Sequence, residues 1–113
     1  MTKIYHNPRC SKSRQTLQLL EDNGETIVTI EYLVAPPTKD ELIEIVSMLG
    51  IPPVELIRKG EAEFKDHFKG KNLTDEEWIQ AMVDFPKLIE RPIVIKDGKA
   101  EIGRPPEKVL DIL

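Results

Sequence analysis

The chain carries one cysteine, Cys10, inside the run Tyr5-His6-Asn7-Pro8-Arg9-Cys10-Ser11-Lys12-Ser13-Arg14, where a short apolar stretch gives way to helical sequence. A thiol at the start of a helix meets amide groups that lack intrahelical partners and the positive end of the helix dipole. Two arginines, Arg9 and Arg14, flank it in sequence. All of these favour the thiolate, which is the form that attacks electrophiles. Moving a cysteine from its ordinary pKa of about 8.5 to roughly 6.5 takes about 2.7 kcal/mol of preferential stabilisation of the anion. A helix N-terminus contributes about 0.3 to 1 kcal/mol, and up to ~2 when partly buried. Guanidinium groups must add the remainder, and Arg14, one helical turn beyond Cys10 on the same face, is the first candidate. A lone cysteine can also be a small buried hydrophobe, but the cationic neighbours here argue for a used thiol.

The other positive charges sharpen that reading. Eleven lysines are scattered, whereas the five arginines stand at Arg9, Arg14, Arg58, Arg91 and Arg104, two beside the cysteine and three at element ends or next to proline. Arginine is permanently charged, and its planar fork matches the oxygens of a tetrahedral oxyanion. An acidic chain, with net charge -4, that keeps its arginines at its joints suggests a local anion site. The same charge argues against a general nucleic-acid binder, which would carry a basic face. With one cysteine and only His6 and His67 as histidines, neither an internal disulfide nor a thiolate and imidazole metal site is expected. Apolar runs too short to span a bilayer, and no signal-type segment after Met1, indicate a soluble cytoplasmic protein without membrane contact.

The elements that position these residues follow from periodicity. Lys3 to His6 reads as a strand, Cys10 to about Asp22 as a helix with Leu17 and Leu20 inward and Asn23-Gly24 as its stop, and Thr26 to Tyr32 as a second strand. Two strands joined by a helix are expected to lie parallel. Thr38-Lys39-Asp40-Glu41 and Thr74-Asp75-Glu76-Glu77 are capping boxes. Each precedes a helical run, and Pro52-Pro53 opens a short turn between them that ends at Arg58. Trp78, Phe64, Phe68 and Phe85 are assigned to the core. Ile93 to Lys96 and Lys99 to Ile102 flank Asp97-Gly98, a type I′ hairpin signal. Gly103-Arg104-Pro105-Pro106-Glu107 opens a last helix with Val109, Leu110 and Leu113 facing inward.

The expected fold is α/β: one domain over residues 1–113, with a mixed sheet built from a βαβ unit and a β-hairpin, a helical insert at about 38–88, and a C-terminal helix. Thioredoxin-like domains have this architecture, with a thiol at the start of the first helix and a cis-proline before the third strand, where Arg91-Pro92 stands here.

Four separated motifs carry a closer likeness. His6-Asn7-Pro8-Arg9-Cys10 with Ser13-Arg14, Leu56-Ile57-Arg58-Lys59, Glu90-Arg91-Pro92-Ile93-Val94, and Gly103-Arg104-Pro105-Pro106-Glu107 together resemble the glutaredoxin-coupled arsenate reductase family, in register over nearly the whole chain. The resemblance implies a thioredoxin-like fold, Cys10 as nucleophile, and Arg58, Arg91 and Arg104 as oxyanion-binding residues, with His6, Ser13 and Arg14 supporting the cysteine loop. It also implies arsenate as substrate, glutathione as co-substrate, glutaredoxin as partner and no bound cofactor. Ser11-Lys12 departs from the Gly-Thr pair frequent after that cysteine in the family. Two other functions use the same fold: a monothiol glutathione-dependent oxidoreductase, which needs the cysteine but not three arginines, and a regulatory protein-binding module that senses stress through a Cys-x-x-Cys pair. Ser13 occupies the position of the second cysteine in that pair. A phosphatase loop needs five residues between cysteine and arginine, and Cys10 and Arg14 are separated by three.

Overall fold

A computed structural model describes residues 1–113, which divide into two compact units, Met1–Ala35 with Arg91–Leu113, and Pro36–Glu90. The first unit is built on a four-stranded sheet. Strands β1 (Thr2–His6), β2 (Ile27–Glu31), β3 (Ile93–Lys96) and β4 (Lys99–Ile102) lie in the order β2-β1-β3-β4. Strands β1 and β2 are parallel, joined by helix α1 (Ser11–Asp22), while β3 runs antiparallel to both β1 and β4. This is the expected mixed, thioredoxin-like α/β sheet.

The sheet is specified by side-chain period and turn chemistry. Ile4 of β1 lies in register with Thr29 of β2 and Val94 of β3, and with Leu20, Val94 and Val109 it forms a fully buried core against which Leu17, Ile27, Ile112 and Leu113 pack. The β3–β4 turn places Asp97 at φ 49° and Gly98 at φ 76°, as a type I′ turn requires. Helix α1 ends at Asn23, whose N–H donates to the Leu19 carbonyl (3.1 Å), while the Gly24 N–H donates to the Glu21 carbonyl (3.0 Å) and Gly24 turns the chain at φ 72°. Lys96 Nζ lies 2.8 Å from Glu25 Oε1, which also accepts from Thr2 Oγ1. The start of β2 is thereby tied to β1 and β3.

The last helix differs from expectation. Pro106–Ile112 is a 3-10 helix, with Lys108 N–H donating to the Pro105 carbonyl (3.1 Å) and Leu113 N–H to the Leu110 carbonyl (3.3 Å). At three residues per turn, Pro106, Val109 and Ile112 share one face. Leu110 is therefore turned outward and exposed, where helical spacing of 3.6 had placed it inward.

In the second unit, both capping boxes form. Thr38 and Thr74 accept from the Glu41 and Glu77 amides, and those glutamates accept from the threonine amides, at the starts of α2 (Lys39–Leu49) and α4 (Asp75–Asp84). Leu42, Ile45, Leu56, Trp78, Ile79, Met82 and Leu88 are buried. Of the four aromatic residues assigned to the core, only Trp78 belongs there, and Phe64, Phe68 and Phe85 are half-buried. Helix α3 (Ala62–His67) has six residues and buries none, so Phe64, Phe68 and Phe85 gain their contacts from one another, from Trp78 and from His67 instead of from an interior. No helix is long and apolar enough to cross a membrane.

Candidate active site

Cys10 is the residue before α1, in extended conformation at φ -97° and ψ 122°. The chain reaches it through a tight turn in which Cys10 N–H donates to the Asn7 carbonyl (3.0 Å), Asn7 Oδ1 accepts from Arg9 N–H (3.0 Å) and Arg14 donates from its guanidinium to the Pro8 carbonyl (2.9 Å). The loop's inner side is fastened by Ser13, which is fully buried. Ser13 Oγ accepts from Asn7 N–H (3.0 Å) and lies 2.6 Å from His6 Nδ1. Strand β1 carries His6 into this position, and α1 returns Ser13 to it. The loop that presents the thiol is thus closed across seven residues by side chains that are themselves inside the protein.

Cys10 is partly exposed. Burial pushes its pKa up, but the Ser13 amide, the Arg91 guanidinium, the Lys12 amide and the charge of Arg104 outweigh burial and hold Cys10 below the ordinary thiol value. Arg104 NH2 lies 3.4 Å from Cys10 Sγ, while its Nε donates to the Arg91 carbonyl at 2.7 Å. One guanidinium therefore bridges the sulfur and the segment that carries the second arginine. The Arg91-Pro92 bond is cis, as is Arg104-Pro105.

Arg14, the first candidate for the thiolate's partner, does not have that role. Although it lies one turn from Cys10, its exposed side chain folds back to the Pro8 carbonyl and braces the loop from outside. The helix amides and two distant arginines stabilise the anion. Burial keeps the His6 imidazole below its ordinary pKa, against the Glu31 carboxylate, which raises it, and with Arg14, which lowers it further. His6 at neutral pH is a neutral ring held against Ser13. Arg58 belongs to the second unit, where its guanidinium lies 3.4 Å from Glu61 Oε1 and 3.5 Å from Glu90 Oε1, and its amide donates to the Leu88 carbonyl at 2.7 Å.

Two positioning residues escaped the reading of the sequence. Asn7 shapes the loop through both its backbone and its side chain, and the Asn-Pro dipeptide, a turn initiator, was the available signal. Gly103 donates to the Pro92 carbonyl at 3.0 Å. A Cβ on it would stand 2.5 Å from Thr16 Oγ1 and 2.8 Å from Pro92 Cγ, so only glycine lets the end of β4 approach α1 and the cis-proline closely enough to deliver Arg104. Nothing in the local sequence except its place before Arg104-Pro105-Pro106 pointed there. No group of three or more histidine, cysteine, aspartate or glutamate side chains is gathered as a metal site would require.

Comparison with known proteins places this site in context. Residues 5–112 match the ArsC family. The chain is 45% identical over 112 residues to an arsenate reductase of Haemophilus influenzae, covering 97% of each, and 50% identical to the uncharacterized protein YfgD of Escherichia coli K12, covering 98% of this chain and 95% of that one. The structure of an arsenate reductase from Vibrio cholerae, 46% identical, superposes with a TM-score of 0.95 over 99% of this chain and 97% of the other.

Proposed function

The chain belongs to the ArsC family, and we propose that it is an arsenate reductase in which Cys10 is the nucleophile and Arg58, Arg91 and Arg104 bind the oxyanion. The observation that carries this reading is a partly exposed cysteine, its thiol held below the ordinary pKa, with the Arg104 guanidinium 3.4 Å from the sulfur. Arsenate repels an approaching thiolate because both are anions. Guanidinium groups on the sulfur offset that repulsion, hold the arsenate oxygens and stabilise the charge that moves onto the leaving oxygen. Amide donors at the start of α1 share the task by stabilising the thiolate before attack.

The reaction balances as two steps. Cys10 thiolate attacks arsenic, the sulfur–arsenic bond forms, and one oxygen leaves as water after accepting protons, which gives a thiol-bound arsenic(V) adduct. The glutathione thiolate then attacks the Cys10 sulfur. A disulfide forms, and the sulfur–arsenic bond breaks with its electron pair on arsenic, which departs as arsenite. Glutaredoxin regenerates Cys10 by thiol–disulfide exchange. One enzyme cysteine suffices for this cycle, and a reducing cytoplasm, where glutathione keeps thiols available, suits it. His6, Ser13 and Arg14 hold the loop, and no bound cofactor enters.

The test is NADPH consumption with arsenate, glutathione, glutaredoxin and glutathione reductase. Arsenate-dependent turnover is expected in the wild-type chain and none in Cys10→Ser. Arg58→Ala is expected to lower kcat/KM for arsenate strongly, since a monothiol oxidoreductase would not need that residue. A folded wild-type protein with a reactive thiol and no arsenate turnover would remove the arsenate assignment.

A further inference from the structure

Residues 1–20 hold Lys3, Arg9, Lys12 and Arg14 and no aspartate or glutamate, in a chain whose net charge is -4. Arg9, Lys12 and Arg14 belong to the Cys10 loop and the first turn of α1, and all three are exposed. In the second unit cations are matched by carboxylates, Lys39 by Glu76 and Arg58 by Glu61 and Glu90. The loop cations enter no ion pair, and the one side-chain contact among them, from Arg14 to the Pro8 carbonyl, is made to a neutral group. Their charge is left uncompensated beside the thiol. We propose that Arg9 and Lys12 are specificity-determining residues that steer anionic electrophiles to Cys10, favouring an anion over a neutral reagent of the same chemistry without touching the sulfur.

The covalent chain fixes where these charges stand. Arg9 immediately precedes Cys10, and Lys12 follows it by two residues and turns its own amide to the sulfur. Consecutive Cα atoms are about 3.8 Å apart, so both residues are rooted beside Cys10 whichever way their side chains turn. Neither side chain is among the groups that lower the Cys10 pKa, whereas Arg91 and Arg104 are. That division has a chemical use. A cation in contact with the sulfur makes the thiolate more abundant but less nucleophilic, because nucleophilicity falls as thiol pKa falls. A cation standing off the sulfur lowers the repulsion that an approaching anion feels from the thiolate and leaves the nucleophile as it was. Coulomb attraction to a unit charge about 10 Å away in water is worth about twofold in the encounter rate, and salt near 0.1 M screens it over about the same distance. Glu31 lines a groove that Arg9 also lines, and its carboxylate offsets part of the field.

The experiment needs no arsenate. The reduced full-length chain is alkylated with iodoacetate or with iodoacetamide, and modification of Cys10, the only thiol, is followed by mass spectrometry. In both reactions the thiolate forms a bond to carbon and iodide leaves with the electron pair. The reagents differ in charge, so the ratio of their rate constants on one protein cancels the thiolate fraction and its nucleophilicity. Replacing Arg9 and Lys12 together by glutamate turns two positive charges into two negative ones and is expected to lower the iodoacetate-to-iodoacetamide ratio about tenfold in low salt. Most of that difference should vanish near 0.5 M salt. An acidic residue in the first turn of α1 suits the helix dipole, and the milder Lys12→Gln is expected to lower the ratio about twofold. Glu31→Gln is expected to raise it. The control is Lys99→Glu, since exposed Lys99 pairs with Lys96 at the end of the sheet far from the loop; it should leave the ratio in place. A ratio unmoved by the double reversal, a loss that salt does not relieve, or an equal loss per charge in Lys99→Glu would overturn the proposal. Its extension to arsenate rests on the reading proposed above. A ratio that responds as expected in a protein without arsenate turnover would leave the steering standing and remove the arsenate reading alone.

Discussion

Two pairs of arginines surround the same thiol, and they behave oppositely. Arg9 and Arg14 are Cys10's neighbours in sequence, yet one points to an outer groove and the other braces the Pro8 carbonyl. Arg91 and Arg104, far along the chain, bring their guanidinium groups to the sulfur. Backbone direction explains the difference. A residue one turn into α1 extends its side chain along the helix surface, whereas the segments before β3 and after β4 are brought to the loop by the pairing of β3 with β1 and of β4 with β3. Proximity in sequence supplies the loop's shape, and proximity through the sheet supplies its charge.

The largest effect that would break this contrast is on catalysis. Arg91→Ala and Arg104→Ala are each expected to lower kcat/KM for arsenate by about 100-fold or more, the scale of losing a preorganised donor at a developing charge. Arg14→Ala is expected to cost only a few-fold, and steady-state kinetics would reverse the contrast if it cost as much. Arg104→Lys should rescue little, because an ammonium cannot reach both the Arg91 carbonyl and the Cys10 sulfur as the fork does.

Next in size is Gly103→Ala. Its added methyl group meets Thr16 and Pro92 well inside contact distance, and overpacking of this kind costs about 1 to 3 kcal/mol in denaturant unfolding. Loss of activity beyond the loss of folded protein would show that the glycine also aims Arg104. Smaller still is the shift in the thiol itself. The pH profile of Cys10 alkylation is expected to have its midpoint below that of an ordinary thiol, to move upward in Arg104→Ala and to stay in place in Arg14→Ala.

The smallest effect concerns His6. Its folded-state pKa is depressed, so the unfolded chain binds a proton that the folded chain refuses. Stability should therefore fall as pH drops below the ordinary imidazole range, and cease to fall once pH passes below the folded value. Arg14→Ala, which removes one cause of the depression, should flatten that slope in urea titrations at a series of pH values.

Much of the architecture was legible because its signals are local. A capping box is complete within four residues, and both at Thr38 and Thr74 form. A type I′ turn is specified by Asp97-Gly98. The failures are non-local or depend on a change of helical period. Leu110 was assigned by a spacing of 3.6 in a segment that winds at three residues per turn. Phe64, Phe68 and Phe85 are large and apolar, but Phe64 lies on a six-residue helix that buries no residue, and Phe68 and Phe85 stand just past the C-terminal ends of α3 and α4. Arg14 was chosen by helical spacing, and the direction of its side chain toward Pro8 is not contained in spacing.

The sequence by itself determined the reactive group, its place at the start of a helix, and the strands and turns around it, because each depends on contacts within a few residues. Which cations meet the sulfur, and that Gly103 must stay bare to let one of them arrive, was decided only in the tertiary structure. Arg91 and Arg104 stand 81 and 94 positions from Cys10, and Gly103 stands 87 from Thr16, and the geometry of these contacts depends on strand register and close packing, which no local pattern encodes.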